Sequence, residues 1–261
     1  MDEPVFQSAG RRFLPTEHAR GPWDRGALHG GAPAALLARA VERFAPAGEL
    51  AFARLSYEFL RPVPVAPLEV RVEMLRPGGR VQLIGASLHA GDVEVCRLAA
   101  LRIARVPADP GLAAGPTGLD LPTPDALEVT PFVLGAGPGP SFAATAVEMR
   151  FARGVAAAGP VAVWLRLRRP IVDDEEPTPL MRVAAVADFG NGVSAELDFA
   201  RTTFVNPDLV VHLRRLPAGD WVMLDARTEI EPGAGALALS VLHDERGPFG
   251  AAAQALLIRE R

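Results

Sequence analysis

A carboxylate, a hydroxyl and an amide, Asp208, Thr228 and Gln254, occur where an internal repeat of the chain has no equivalent groups. The stretch Leu55-Ser56-Tyr57-Glu58-Phe59-Leu60-Arg61 reads like Leu209-Val210-Val211-His212-Leu213-Arg214-Arg215. Pro77-Gly78 matches Pro232-Gly233, and Ala99 to Ile103 matches Gln254 to Ile258. The offset is 154 at the start and 155 at the end. A repeat of this kind means two copies of one architectural unit. Across it Asp208 faces Arg54, Thr228 faces Glu73 or Met74, and Gln254 faces Ala99. Polar groups present in only one copy are where chemistry is expected.

The second candidate group is His29 beside Gly30-Gly31. Free backbone N–H groups at the start of a helix can polarise a carbonyl oxygen. His29 reads as a general base, a ligand contact or a structural residue before the helix. Asp188 and Asn191 end the second helix, where they either border a site or cap it. No spacing among the five histidines suits a metal. The glycine pairs are not nucleotide loops, because the chain has no lysine to complete one. There is no Gly-x-Ser-x-Gly elbow, which argues against a serine hydrolase.

These residues need a scaffold. Ala32 to Phe44 reads as a buried helix: Pro33 suits the first turn, and Ala34, Leu37, Ala38 and Val41 recur at helical spacing. A short strand is expected within 11–20. A meander of strands follows at Phe52–Arg61, Leu68–Met74, Arg80–Ala90 and Val93–Val106. The second half repeats the order. Strands near 141–152 and 160–171 precede a helix from Leu180 to Phe189, with Pro179 at its start and Gly190-Asn191-Gly192 as a stop. Strands are then expected at Leu197–Thr203, Asp208–Arg215, Asp220–Glu231, Ala236–His243 and Gly250–Arg259. The expected division is a unit at 1–106, a Pro/Gly/Ala-rich linker at 107–140 and a unit at 141–261. The class is α+β.

Phase tests the three polar residues. Thr228 continues the inward row Val222, Leu224, Ala226, and Gln254 shares a face with Leu256 and Ile258. A Gln in an apolar row must find partners or cost about 1–3 kcal/mol. Asp208 is out of phase with inward Leu209, Val211 and Leu213. It needs a bulge to turn inward, and otherwise is a turn residue at the start of its strand.

With 261 residues, 49% of them hydrophobic, the chain can bury a real core. Its formal charge of −4, without a basic tail, gives no sign of nucleic acid. All 27 basic residues are arginine, in line with a GC-rich coding bias. The one cysteine, Cys96, is expected to be a buried hydrophobe in a reducing cytosol. No signal peptide or membrane-spanning run is visible, so a cytoplasmic protein is expected.

Gly21-Pro22-Trp23-Asp24 with His29-Gly30-Gly31-Ala32-Pro33-Ala34-Ala35-Leu36-Leu37 resembles the first-helix signature of the acyl-CoA thioesterase II-like family. Asn206-Pro207-Asp208-Leu209, His212-Leu213-Arg214-Arg215, Gly219-Asp220-Trp221, Leu224-Asp225-Ala226-Arg227-Thr228 and the closing Gln254 are similar to its C-terminal half. The resemblance implies a double hotdog: two helices, each wrapped by an antiparallel sheet, the sheets joined side by side. It implies an acyl-CoA substrate and no metal or redox cofactor. It also implies an Asp, a Thr and a Gln that hold a water, which fall on Asp208, Thr228 and Gln254, with His29, Gly30 and Gly31 near the substrate. Arginines at the mouth would hold the phosphates. A homo-oligomer is compatible with this reading. Two other readings stay open: a non-catalytic acyl-binding protein, and a hotdog hydratase or dehydratase that draws on His29.

Overall fold

The computed structural model describes residues 3–45, 48–105, 120–131 and 139–261. In the first half, β1 (Phe6–Ala9) and β2 (Arg12–Pro15) precede α1 (Gly31–Phe44). Then come β3 (Leu50–Phe59), β4 (Leu68–Arg76), β5 (Val81–Ala90) and β6 (Val93–Ala104). The second half has β7 (Val147–Arg153), β8 (Val161–Leu167), α2 (Pro179–Ala187), α3 (Gly190–Ser194) and β9 (Thr202–Val205). It closes with β10 (Asp208–Leu213), β11 (Val222–Glu231), β12 (Gly235–Asp244) and β13 (Gly247–Glu260).

The strands form one 13-stranded sheet ordered β1-β2-β4-β5-β6-β3-β10-β13-β12-β11-β8-β7, with β9 on the end of β13. The named strand pairs are antiparallel. This is the double hotdog, and the two units meet at β3 and β10. There Tyr57 pairs with Leu209, Ser56 with Val210 and Leu55 with Val211. Because Leu55 corresponds to Leu209 and Tyr57 to Val211, the pairing is self-complementary about a pseudo-two-fold axis. The helices obey the same relation. Gly31 at the start of α1 packs on the Ala185 carbonyl near the end of α2, and Thr178 before α2 donates to Glu42 near the end of α1.

The pairing corrects the repeat's alignment. Gln254 pairs with Ala238 as Ala100 pairs with Ile84, and Thr228 pairs with Ala238 as Met74 pairs with Ile84. The offset therefore stays at that of the repeat's start, and the counterpart of Gln254 is Ala100, not Ala99. Ala99 points to the outer face of the sheet.

Local sequence explains the helices. Alpha1 buries Ala32, Ala35, Leu36, Leu37, Ala38 and Val41 between the sheet and α2. Thr178 caps α2 by accepting from Met181 N at 3.2 Å, with Pro179 in the first turn.

Three expectations need correction. The second helix does not run unbroken to Phe189 and stop at Gly190-Asn191-Gly192. It ends at Ala187, and those glycines begin α3, because side chains of the sheet hold the new turn. No strand starts at Leu197: the chain turns on Asp198, whose carbonyl accepts from Arg201 N and Thr202 N, and β9 begins only at Thr202. The expected linker at 107–140 lies partly outside the described residues. Of its described residues, those at 120–131 dock on the second unit, where Trp164 Nε1 donates to Pro122 O at 2.9 Å. The N-terminus also ties the halves together, since Val5 N and Phe6 N donate to Pro170 O and Ile171 O.

Candidate active site

Asp188 and Phe189 link α2 to α3, and the break places a carboxylate where an unbroken helix would bury an apolar side chain. Asp188 is 6% exposed. Its Oδ1 accepts from Asn206 Nδ2 at 2.9 Å and from Gln254 Nε2 at 3.3 Å. Its Oδ2 lies 3.1 Å from His29 Nδ1. This carboxylate borders a cavity of about 490 Å3 that runs between the two units. His29, Gly30 and Val63 come from the first unit, and Asp188, Asn191 and Asn206 from the second.

Gln254 is 2% exposed and meets both of its hydrogen-bonding needs inside. Besides Asp188, it donates to Asp188 O at 3.3 Å and accepts from Asn191 N at 3.1 Å. One amide therefore holds the end of α2 and the start of α3. The buried Gln required by the sequence pattern has its partners, and they are the residues that present the carboxylate.

Thr228 is placed elsewhere. Its Oγ1 is 2.8 Å from Ser194 Oγ, and Ser194 donates to Gly190 O at 2.8 Å. It fastens the far end of α3 and is not among the cavity's lining residues. Asp208 is also not brought to Gln254. Its Oδ1 accepts from Ala255 N at 2.7 Å. The reason lies in the sheet. Beta13 pairs with β10 through Ala253 and with β9 from Leu257. The N–H of Ala255 falls in the gap between those partners, and Asp208 fills it. No bulge turns Asp208 inward, so its out-of-phase position decides its direction. Among the described residues, no hydrogen bond joins any two of the expected trio.

His29 is 9% exposed and stacks on Phe189 with ring centroids 4.5 Å apart. Gly31 N donates to its Nδ1 at 3.0 Å. Nδ1 has one in-plane position, so this bond and a donation from Nδ1 to Asp188 are alternatives set by the tautomer. Both glycines are required sterically. A Cβ on Gly30 would sit 2.7 Å from Asp188 Oδ2, and one on Gly31 would strike the Ala185 carbonyl. Gly30 lines the cavity, and no hydrogen bond from its N–H is found among the described residues.

Sequence reasoning left Asp188 and Asn191 as either bordering a site or capping the helix, and gave the acid's role to Asp208. Asn206 it quoted only as part of a motif. A legible signal was present: an acidic residue ends an α2 that is apolar apart from Arg182, and burial there demands partners. Among the described residues, no cluster of His, Cys, Asp or Glu could hold a metal ion, and no helix is long and apolar enough to cross a membrane.

Known proteins resemble the chain at two levels. A model of the acyl-CoA thioesterase N-terminal domain matches residues 19–103, and one of the acyl-CoA thioesterase C-terminal domain matches 120–258. No curated protein matches. A hot dog fold protein from Alicyclobacillus acidocaldarius superposes with a TM-score of 0.72 at 16% identity, covering 97% of this chain and 95% of that one. The TesB protein of Mycobacterium avium subspecies paratuberculosis gives 0.69 at 16% identity, with 97% and 96% covered. Acyl-CoA thioesterase II TesB2 from Mycobacterium marinum gives 0.65 at 17%, with 90% of each chain covered.

Proposed function

Because this chain belongs to the acyl-CoA thioesterase family, we propose that it hydrolyses acyl-CoA thioesters in the cavity between its units, with Asp188 taking the proton of the attacking water. The observation that carries the reading is the buried Asp188 carboxylate, braced by Asn206 and Gln254 on the wall of that cavity. Direct hydrolysis needs a base, a water and donors for the oxyanion. Asp188 Oδ2 is the carboxylate oxygen not used by Asn206 or Gln254. The water oxygen attacks the thioester carbon as its proton passes to Asp188. The carbonyl oxygen becomes an oxyanion beside Gly30 N–H. Collapse breaks the carbon–sulfur bond, and the thiolate leaves with the proton returned from Asp188. Gln254 acts as a positioning residue, since it touches Asp188 and the Asn191 N–H rather than the reacting atoms.

A panel of acyl-CoA thioesters, followed by release of free thiol, tests the reading. Turnover that disappears in Asp188→Asn and persists in Asp208→Asn is the expected result. Absence of thiol release across the panel, with acyl-CoA still bound, leaves the non-catalytic binding protein.

The contact of His29 Nδ1 with Asp188 at 3.1 Å favours one further reading, a hydratase or dehydratase with an Asp-His pair. Enoyl-CoA offered to the same enzyme separates the two. Loss of the conjugated double bond without thiol release selects hydration.

A further inference from the structure

We infer that this cavity admits only short acyl groups, because its inner wall is made by Phe189 and Phe59, each backed by a second buried aromatic ring. That the ligand is an acyl-CoA rests on the thioesterase reading above.

Phe189 sits between α2 and α3, lines the cavity beside Asp188 and is 2% exposed. Its ring stacks on His29. The ring of Phe142 lies behind, its centroid 5.1 Å from that of His29 and 6.1 Å from that of Phe189. Phe142 is fully buried and takes no part in the lining.

Phe59 closes a second direction. It lines the cavity at the end of β3. Two residues earlier on the same face, Tyr57 is parallel to it within 9°, with ring centroids 6.5 Å apart. Tyr57 is fully buried and donates its hydroxyl to Ala34 O of α1 at 3.1 Å. This bond occupies the slot between α1 and the sheet, where a long apolar chain would otherwise run. The corresponding residue of the second unit is Val211, which has neither ring nor hydroxyl.

Among the described residues, none of α1 or α2 lines the cavity: Gly30 precedes α1 and Asp188 follows α2. The cavity therefore ends where the helices begin. Ligand pockets span about 300–1,000 Å3, and the arm of the carrier uses part of this one. Charge keeps the nucleotide end of the carrier in solvent, so the acyl group points inward from Asp188 and meets the two rings. Behind them the packed core leaves no room for further methylenes.

Thiol release from straight-chain acyl-CoA thioesters, acetyl to palmitoyl, tests this on the full chain. The wild type is expected to be fastest at about six carbons or fewer and to fall at least about tenfold in kcat/KM by dodecanoyl-CoA. Removing a ring opens an apolar hole, which stays dry and takes up apolar carbon. Each methylene admitted is worth about fourfold. Phe189→Leu and Phe189→Ala should therefore raise the ratio of octanoyl to butyryl kcat/KM, the alanine variant by at least about tenfold. Phe59→Leu should raise it less. The ratio compares two substrates in one variant, so a loss of folded protein or of proton transfer cancels. Phe52→Leu removes a ring of β3 that does not line the cavity and should leave the ratio unchanged. A wild-type profile that rises to palmitoyl-CoA, or an unchanged ratio in the folded Phe189 variants, overturns the wall and leaves hydrolysis standing. Absence of thiol release from every thioester overturns the hydrolysis. Calorimetric affinity for the same series then decides the wall: a fall beyond hexanoyl-CoA supports it, and affinity that keeps rising with chain length overturns it.

Discussion

Beta3 of the first unit and the β9–β10 pair of the second occupy matching places, and they part at one point. Beta3 runs beside β6 from Leu50 to Phe59, with one irregularity between Phe52 and Arg54. At the matching point the second unit breaks its strand with Asn206-Pro207. Proline has no N–H for the ladder. Asn206 then reaches Asp188, and Asp208 covers the N–H left by the gap. At the matching place in the first unit, Arg102 is 5% exposed, lies 5.2 Å from the Phe52 centroid and donates to Leu50 O. The helices differ in the same way. Alpha1 is continuous, whereas its counterpart is interrupted by Asp188. Two nearly equivalent units thus become one closed and one open through a broken strand and a broken helix.

The largest expected effect is on the break itself. Asp188→Asn should lower the rate of thiol release about a thousandfold, within the range for loss of a general base. Asp208→Asn should stay within a few-fold of wild type, because an amide oxygen can still accept from Ala255 N. Equal losses in the two variants, or a loss confined to Asp208→Asn, would reverse the assignment.

The adjacent glycines Gly30 and Gly31 sharpen the contrast between scaffold and site. Alanine at Gly30 should push the Asp188 carboxylate aside and cost about a hundredfold in rate, as misplacement of about 1 Å can. Alanine at Gly31 wedges α1 off α2 and should destabilise the fold by about 3 kcal/mol. Thermal melts and rates on both variants separate these outcomes. Unchanged activity in a folded Gly30→Ala variant would place the chemistry away from Asp188.

A third comparison exchanges the matched positions Gln254 and Ala100. Gln254→Ala leaves the Asn191 N–H unpaired and Asp188 without one of its braces. The rate should fall at least tenfold, about 1.4 kcal/mol in transition-state stabilisation. Ala100→Gln puts an amide into the closed unit, where the site is apolar and Ala100 is fully buried. It should lower stability by about 1–3 kcal/mol and leave kcat unaltered. A large rate loss in a folded Ala100→Gln variant would mean that the space around Ala100, and not only the cavity beside Asp188, takes part in the reaction.

The fold was legible because its signals are periodic. Two buried helices and long alternating strands repeated across the chain, and register follows from alternation. The site was less legible because it depends on departures from that regularity. Phase correctly turned Gln254 inward and Asp208 outward, and a resemblance to a family then drew Asp208 back toward the water. Asp188 was noticed but read against capping, because the helix interruption is set by tertiary contacts: Gln254 bonds to a backbone N–H of α3 that lies 63 positions away. Asn206 gave no local signal beyond its proline neighbour. One slipped residue in the repeat likewise moved the partner of Gln254 from Ala100 to Ala99, a shift that only strand pairing corrects.

The smallest effect expected concerns Thr228. Ser194 spends its hydroxyl proton on Gly190 O, so Thr228 is the donor in the bond between the two hydroxyls. Thr228→Val keeps the shape of the side chain and removes that donor, while Ser194 retains its bond to Gly190. The cost should be about 1 kcal/mol, a fall in Tm of about 2–4 °C for a chain of this size. The rate should change little, since Gln254 still fixes the end of α3 nearer the cavity. Ser194→Ala should cost more stability than Thr228→Val, because it strands the Thr228 hydroxyl and frees the Gly190 carbonyl together. The pair of melts and rates distinguishes a clamp from a reactive hydroxyl. If Thr228→Val abolishes hydrolysis with an unchanged Tm, the hydroxyl belongs on the water, and the arrangement implied by the family resemblance returns with Asp188 in place of Asp208.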